Sequence, residues 1–144
     1  MMKKINIVSC LLLCTVVLCN AQEIGVRFGD NAGGNVAVDG VFGTSKFSRI
    51  HADVSFGSGV AIDVLWDFLY KPFGGEAFNW YLGAGPYAFL GDPFRLGVAA
   101  EIGLEYRFNG MPLVIGGDWR PRLRIIDNTN FDWGGFGFNV RLVF

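Results

Sequence analysis

The segment RIHADVSF at positions 49–56 carries the side chains that most resemble catalytic groups. His51, Asp53 and Ser55 are two positions apart, so they share one face if the segment is a β-strand. A histidine, a carboxylate and a serine are the components of a hydrolytic triad. Residues two apart along a strand are ~7 Å apart, which is too far for the direct hydrogen bonds of a triad. We therefore predict that they belong to an interior hydrogen-bond network and that the chain has no catalytic residue.

Charged side chains recur on the same alternating face throughout the chain. Every base on this face is arginine, whereas Lys46 and Lys71 lie in predicted turns. The guanidinium group is always charged and pairs bidentately with carboxylates, so arginines matched with acids indicate an enclosed ion-pair network. Glu23 lies on the same face, in the first of the alternating segments. The predicted network consists of Arg27, Asp39, Arg49, Asp53, Asp63, Asp67, Arg95, Glu101, Glu105, Arg107, Asp118, Arg120, Arg122, Arg124 and Arg141.

Two parts of this charged set have other interpretations. Arg120, Arg122 and Arg124 form the densest basic run and could line a narrow anion-selective passage, although pairing with acids on neighbouring strands is favoured. The acids on the strand faces could hold a metal ion or act as general acid and base, but equal numbers of arginine favour ion pairs. One histidine and no cysteine after Cys19 argue against zinc, so we predict no metal and no cofactor.

The elements that must position these side chains are β-strands. In FRLGVAAEIGLEYRF, positions 94–108, the even positions are all apolar or aromatic and the odd positions are charged or small. This period of two is typical of a strand with two different faces. Eight such segments follow one another, separated by short turns rich in Gly, Asn, Asp and Pro, which predicts an all-β, antiparallel up-and-down fold. Pro86 and Pro121 fall inside predicted strands and should mark bulges or the rim of the sheet.

Several features indicate that the charged face points inward. Gly25, Gly83, Gly85, Gly97, Gly103 and Gly137 lie on that face and leave room for bulky side chains in a small closed barrel. Aromatic side chains collect near the strand ends of the apolar face, which is typical of a barrel in a bilayer; they are Trp66, Phe68, Tyr70, Trp80, Tyr106, Phe108, Trp119 and Phe144. A sheet in lipid must close, because every backbone polar group needs a partner. We therefore predict an eight-stranded transmembrane β-barrel.

The N-terminal segment has a composition of its own. Lys3–Lys4 precede an apolar run, Ile5–Cys19, and then small residues, a pattern typical of a secretory signal peptide. We predict cleavage after Ala21, so that 1–21 are removed and 22–144 form one barrel domain; a retained helix and a lipoprotein signal are alternatives. The remaining chain then has no disulfide, because the only cysteines are Cys10, Cys14 and Cys19. The net charge of −1 predicts no nucleic-acid partner.

The strand pattern and two stretches resemble a known family. The eight alternating strands and the terminal FGFNVRLVF, which ends in Phe144, are similar to OmpA/OmpX-type eight-stranded outer-membrane β-barrels. The segment IGLEYRF followed by MPLVIGGDWRP resembles other small outer-membrane β-barrel proteins. The resemblance implies a Gram-negative outer-membrane location and contact with lipid and lipopolysaccharide. It also implies that Phe144 is part of a signal read by the barrel-assembly machinery, and it allows a place in a larger membrane complex.

The resemblance implies architecture more than activity. A structural or accessory, non-enzymatic role is the prediction, with a narrow pore for small solutes and a lipid-modifying enzyme as alternatives, since some outer-membrane barrels are lipid A deacylases. A soluble, lipocalin-like barrel would need the two faces exchanged. One alternate set of turns, predicted to face outside, contains acids that could bind Ca²⁺ or bridge to lipopolysaccharide, but ordinary turn interactions are favoured; these are Asp30, Asp92, Asp127 and Asp132.

Overall fold

The computed structural model describes residues 22–74, 77–126 and 128–144, so the predicted signal peptide and Asp127 lie outside the described residues. Within these ranges, no helix has the length and hydropathy needed to cross a membrane. The strands are β1 (Gln22–Gly29), β2 (Val36–Ser45), β3 (Ser48–Phe56), β4 (Val60–Pro72), β5 (Phe78–Leu90), β6 (Arg95–Arg107), β7 (Leu113–Trp119), β8 (Arg122–Ile126), β9 (Asn130–Asp132) and β10 (Phe136–Val143).

Eight of these strands form a closed antiparallel β-barrel, as the alternation predicts. Strands β1 to β7 pair in chain order, β10 pairs with β7, and β1 pairs with β10 to complete the ring. We call the end with Gln22 and Phe144 the terminal end. The opposite end, with the loops 30–35, 57–59 and 91–94, is the loop end.

The two proline positions have different outcomes. The seventh predicted strand is interrupted at Arg120 and Pro121, and β8 beyond them pairs with β6 and with the short β9 at the loop end. Proline has no N–H to donate to a ladder, which accounts for the interruption. Pro86, in contrast, lies inside a continuous β5 opposite Val98 of β6. On the other side of β5, Tyr87 and Ala84 are paired with β4, but Pro86 between them is not.

The two faces of the sheet have opposite polarity. On β6, the side chains of Val98, Ile102 and Leu104 are 44–49 % exposed on the outer surface. Glu101 and Glu105 of the same strand are only 1 % exposed and lie inside. The barrel is therefore apolar outside and charged inside, which confirms the predicted orientation of the two faces.

One aromatic side chain lies on the opposite side from the prediction. The Tyr70 hydroxyl donates to Glu105 Oε1 at 2.7 Å and accepts a hydrogen bond from Arg107 Nε at 2.8 Å. The register of β4 against β5 shifts between Asp67 and Leu69. Such a bulge adds one residue to the strand and exchanges the two faces beyond it. Tyr70 therefore faces the interior, and its placement in the outer aromatic set is wrong.

Candidate functional site

The interior of the barrel holds a dense set of buried charged side chains. Most of the predicted network is at most 6 % exposed: Arg27, Asp39, Arg49, Asp53, Asp63, Asp67, Glu101, Glu105, Asp118, Arg120, Arg122 and Arg141. Glu23 joins them at 3 % exposure. Arg95, Arg107 and Arg124 are half-buried near the barrel ends. Buried charges need partners, because desolvation of an isolated ion is unfavourable.

Arg120 lies at the interruption between β7 and β8 and contacts four carboxylates of the interior. Its Nε donates to Glu101 Oε2 at 2.8 Å, and its Nη1 donates to Asp53. Nη1 also lies 3.7 Å from Asp63 Oδ2, and Nε lies 3.7 Å from Asp118 Oδ1. These four carboxylates belong to β3, β4, β6 and β7. One guanidinium therefore links opposite walls of the barrel.

Arg141 of β10 makes a second set of links. Its Nε donates to Glu23 Oε2 at 2.7 Å and its Nη1 to Asp39 Oδ2 at 3.2 Å, while Nη2 pairs with Glu105. Arg49 donates to Asp67 Oδ2 at 2.8 Å and also reaches both oxygens of Glu105 at 3.1 Å. Glu105 thus joins the two arginines into one continuous network.

Arg27 of β1 is held on the inner wall beside Asp118. Its Nε lies 3.0 Å from Asp118 Oδ1, and its Nη1 donates to Asn31 Oδ1 at 2.6 Å and to the Asp30 carbonyl at 2.9 Å. A Cβ added at Gly137 would overlap the Arg27 guanidinium, with Nε only 2.7 Å away. The inward glycine on β10 is therefore what leaves space for this arginine.

His51 lies at the centre of the network and not in a triad. Its Nδ1 lies 3.1 Å from Glu101 Oε1, and its Nε2 is hydrogen-bonded to Asp39. The imidazolium form can donate to both carboxylates at once. Ser55 Oγ accepts a hydrogen bond from the Gly33 N–H at 2.9 Å, and Asp53 Oδ1 is 3.9 Å from His51 Nε2. The three residues therefore contain no base-activated serine.

Two groups of possible metal ligands meet at His51. One is Asp39, His51 and Asp53, and the other is His51, Asp67 and Glu101; within each, the ligand atoms lie within 4.8 Å of one another. The Arg120 guanidinium lies among them, with Nη2 at 3.2 Å from His51 Nε2 and Nη1 on Asp53. Arginines already pair with all these acids: Arg120 with Asp53 and Glu101, Arg141 with Asp39, and Arg49 with Asp67. The geometry therefore fits an ion-pair network better than a metal centre.

The predicted arginines at the barrel ends differ in their contacts. At the terminal end, Arg107 pairs with Glu23 and lies 3.5 Å from Glu105 Oε1. At the loop end, the Nε atoms of Arg95 and Arg124 are buried and have no hydrogen-bond partner among the described residues. The structure does not bring these two into the central network, because they lie at the start of β6 and on β8, beyond the interruption at Pro121.

Some interior partners were not singled out from the sequence. Tyr81 is fully buried, and the Arg49 guanidinium stacks over its ring at 4.5 Å from the centroid. Asn139 donates to Asp118 Oδ2 at 3.1 Å and accepts from Arg141 Nη1 at 2.7 Å. Both residues share the inward parity of their strands, so the alternation carries the signal that would have identified them.

A matched pair of glycines tests the crowding of the interior. Gly137→Leu should lower the free energy of unfolding by about 1–3 kcal/mol, since overpacking of a filled interior forces neighbours to shift. Gly117 lies on the adjacent β7 but points outward, where an added Cβ would meet only the Gly137 carbonyl at 3.7 Å. Gly117→Leu should therefore be tolerated. Urea unfolding of the refolded barrel measures both changes, and equal losses would contradict this orientation of the two glycines.

No protein-family model, curated protein or solved structure matches this chain.

Proposed function

We propose that the chain is a small outer-membrane β-barrel with a structural or accessory, non-enzymatic role. The observation that carries the proposal is a closed barrel whose apolar side chains face out while its charges are buried inside. Soluble monomers rarely expose apolar surface on this scale. In a bilayer the same surface would contact acyl chains, and each of the eight strands of the ring is paired on both sides, as lipid requires.

The dimensions and the distribution of aromatic residues support a membrane location. Strands β4, β5 and β6 each have 13 residues, whereas about 9–11 tilted residues suffice to cross a bilayer. Phe73, Phe78 and Phe144 are exposed at the terminal end, and Phe56 and Phe94 are exposed at the loop end. Aromatic girdles of this kind border the apolar band of outer-membrane barrels. We also propose that residues 1–21 are a signal peptide, which directs export and is removed after Ala21.

The last strand fits a role in assembly. Phe144 is 73 % exposed, and its N–H donates to the Gln22 carbonyl at 2.8 Å, next to the ladder that closes the barrel between β10 and β1. We propose that Phe144 is part of the signal for the barrel-assembly machinery. Lipid and lipopolysaccharide would surround the outer surface, and a larger membrane complex could use the same surface.

The filled interior favours a structural role over transport. Arg27, Arg120 and Arg141 are 0 % exposed, so solvent does not reach the middle of the lumen. Because each arginine is tied to carboxylates of other strands, opening a passage would break several buried ion pairs together. The purified barrel should give no steady single-channel conductance in planar bilayers. Regular current steps that change in size in the Arg120→Met variant would instead support the narrow-pore alternative.

Fractionation together with heat-modifiable gel migration tests the proposed location. The full chain, expressed in a Gram-negative host, should be found in the outer-membrane fraction and should require detergent for extraction. The unboiled sample should migrate differently from the boiled one, because a closed barrel stays folded in dodecyl sulfate until heated. A protein recovered without detergent, with the same migration before and after boiling, would contradict the proposal.

A further inference from the structure

We infer that the loop end of the barrel holds a binding site for phosphate, in which Arg95, Arg122 and Arg124 contact the anion. The inference does not depend on the proposed membrane role, since it follows from unsatisfied donors that share one cavity. It concerns a part of the molecule separate from the central network around Arg120.

The cavity lies just inside the loop end and has a volume of about 160 Å³. Its walls are the loop after β1, the end of β5, the start of β6, and the β8–β9 hairpin. The three arginines line it together with Asp30, Asp132 and Tyr87. Three guanidinium groups and two carboxylates leave one net positive charge on this set of side chains. The cavity is thus polar and cationic, in contrast to the apolar outer surface.

Each of the three arginines has an unused donor. The Nε atoms of Arg95, Arg122 and Arg124 are buried and have no hydrogen-bond partner among the described residues. Arg122 as a whole is only 4 % exposed. Buried N–H groups in folded proteins are nearly always paired with protein, water or a ligand. Three arginine side chains that line one cavity, each with an unpaired donor, indicate an anionic acceptor with several oxygens.

The neighbouring carboxylates leave these donors free. Asp30 Oδ1 and Asp132 Oδ2 lie 3.6 Å and 3.8 Å from Arg122 Nη1, longer than hydrogen bonds. Other oxygens of the same two carboxylates accept the N–H groups of Gly135 and Gly134 at 2.9 Å. Backbone donors therefore hold both acids in place, and Arg122 Nη2 donates instead to the Asp30 backbone carbonyl at 3.0 Å, so the Arg122 Nε stays unpaired within the described part of the chain.

The other two arginines are also positioned by the fold. The Arg95 guanidinium lies over the Phe89 ring at 4.0 Å from its centroid, and this stacking leaves the edge of the guanidinium for an anion. Arg124 is paired with Gly97 on β6, where Tyr87 passes so closely that an added Cβ would lie 2.7 Å from its ring. The glycine thereby admits Tyr87 to the cavity wall beside Arg124.

Phosphate is the anion whose chemistry fits this set best. Guanidinium groups bind phosphate oxygens through paired, charge-assisted hydrogen bonds, and three of them can engage different oxygens of one tetrahedral group. The phosphate could be free in solution or belong to a lipid headgroup. A free anion would enter through the mouth of the barrel, whereas a headgroup would have to reach over the rim.

Calorimetric titration of inorganic phosphate into the refolded barrel in neutral detergent tests the site. We expect saturable binding at one site per chain. Arg95→Gln and Arg124→Gln should each weaken the affinity roughly tenfold or more, as expected for the loss of a charge-assisted hydrogen bond. Lys71→Gln, which removes an exposed cation near the terminal end, is the matched control and should leave the affinity unchanged.

A second arm distinguishes the source of the phosphate. Neutral micelles containing either a phosphate-bearing lipid A or a dephosphorylated analogue are titrated with the barrel and with both glutamine variants. Binding that needs the lipid phosphate and both arginines, without binding of inorganic phosphate, assigns the site to a headgroup. Binding of neither probe, or binding unchanged in both variants, would overturn the inference. Unaltered heat-modifiable migration of each variant shows that it has folded, and it separates failure of this site from failure of the proposed location.

Discussion

Replacing Arg120 by methionine should lower the free energy of unfolding by about 3–5 kcal/mol, the effect expected when one partner of a buried ion network is removed. Arg120 is 0 % exposed and is hydrogen-bonded to Asp53 and Glu101, with Asp63 and Asp118 also within 4.0 Å. Methionine keeps an unbranched side chain but lacks the guanidinium group, so several buried carboxylates lose their counter-ion. The large effect therefore comes mainly from the uncompensated buried charges.

Urea unfolding of the refolded barrel in detergent, followed by tryptophan fluorescence, measures this loss. Arg124→Met is the matched control, because Arg124 is half-buried and its Nε has no hydrogen-bond partner among the described residues; its effect should stay within about 0.5 kcal/mol. Adding Asp53→Asn and Glu101→Gln to Arg120→Met should recover part of the loss, because it neutralises the two buried acids that have lost their counter-ion. Similar small losses in both arginine variants would contradict a stabilising role of the network.

Val98→Arg should destabilise the barrel in lipid vesicles by about 2–4 kcal/mol, as arginine does on the lipid face near the bilayer midplane. Val98 is the fourth of the thirteen residues of β6, is 44 % exposed and points outward within the apolar surface. Leu90→Arg is the matched control, since Leu90 is 52 % exposed at the loop end of β5, and there the loss should fall to about 0–1 kcal/mol.

The informative quantity is the difference between the two variants in the free energy of unfolding. Equilibrium unfolding of both variants in the same vesicles measures this difference. On a water-exposed surface, either substitution would change stability by only about 0.5 kcal/mol. Equal and small effects at Val98 and Leu90 would therefore argue that the outer surface is not in lipid.

Much of the fold follows from alternation alone. On β6, the charged and small residues at odd positions are all inward, as the period of two predicts, because a shift of one residue would exchange the faces of the whole strand. The closure into eight strands follows from the number of alternating segments and the short turns between them. The inward glycines were also predictable, since Gly137 and Gly103 lie where Arg27 and Tyr81 need space.

Other features depend on three-dimensional details that no alternation contains. The bulge at Asp67–Leu69 is hidden because Phe68 and Tyr70 are both aromatic, so the apolar pattern continues while the strand turns over. The partners within the network are likewise set by the stagger of the strands. Arg120 and Asp53 are 67 positions apart, and only the closed ring brings them together. The stagger and closure of the strands also set how far Arg95 and Arg124 lie from the central acids, so alternation does not predict this distance.

Depth-dependent fluorescence quenching tests most directly whether the apolar outer surface lies in lipid. Residues 22–144 contain no cysteine, so single cysteines at Val98 and at Ser58, which is exposed in the loop after β3, can each carry an environment-sensitive dye. In vesicles, the dye at position 98 should be quenched by lipids brominated near the middle of the acyl chain and protected from aqueous iodide. The dye at position 58 should show the reverse. Quenching of both dyes by iodide, with no effect of the brominated lipids at position 98, would contradict a membrane-spanning barrel.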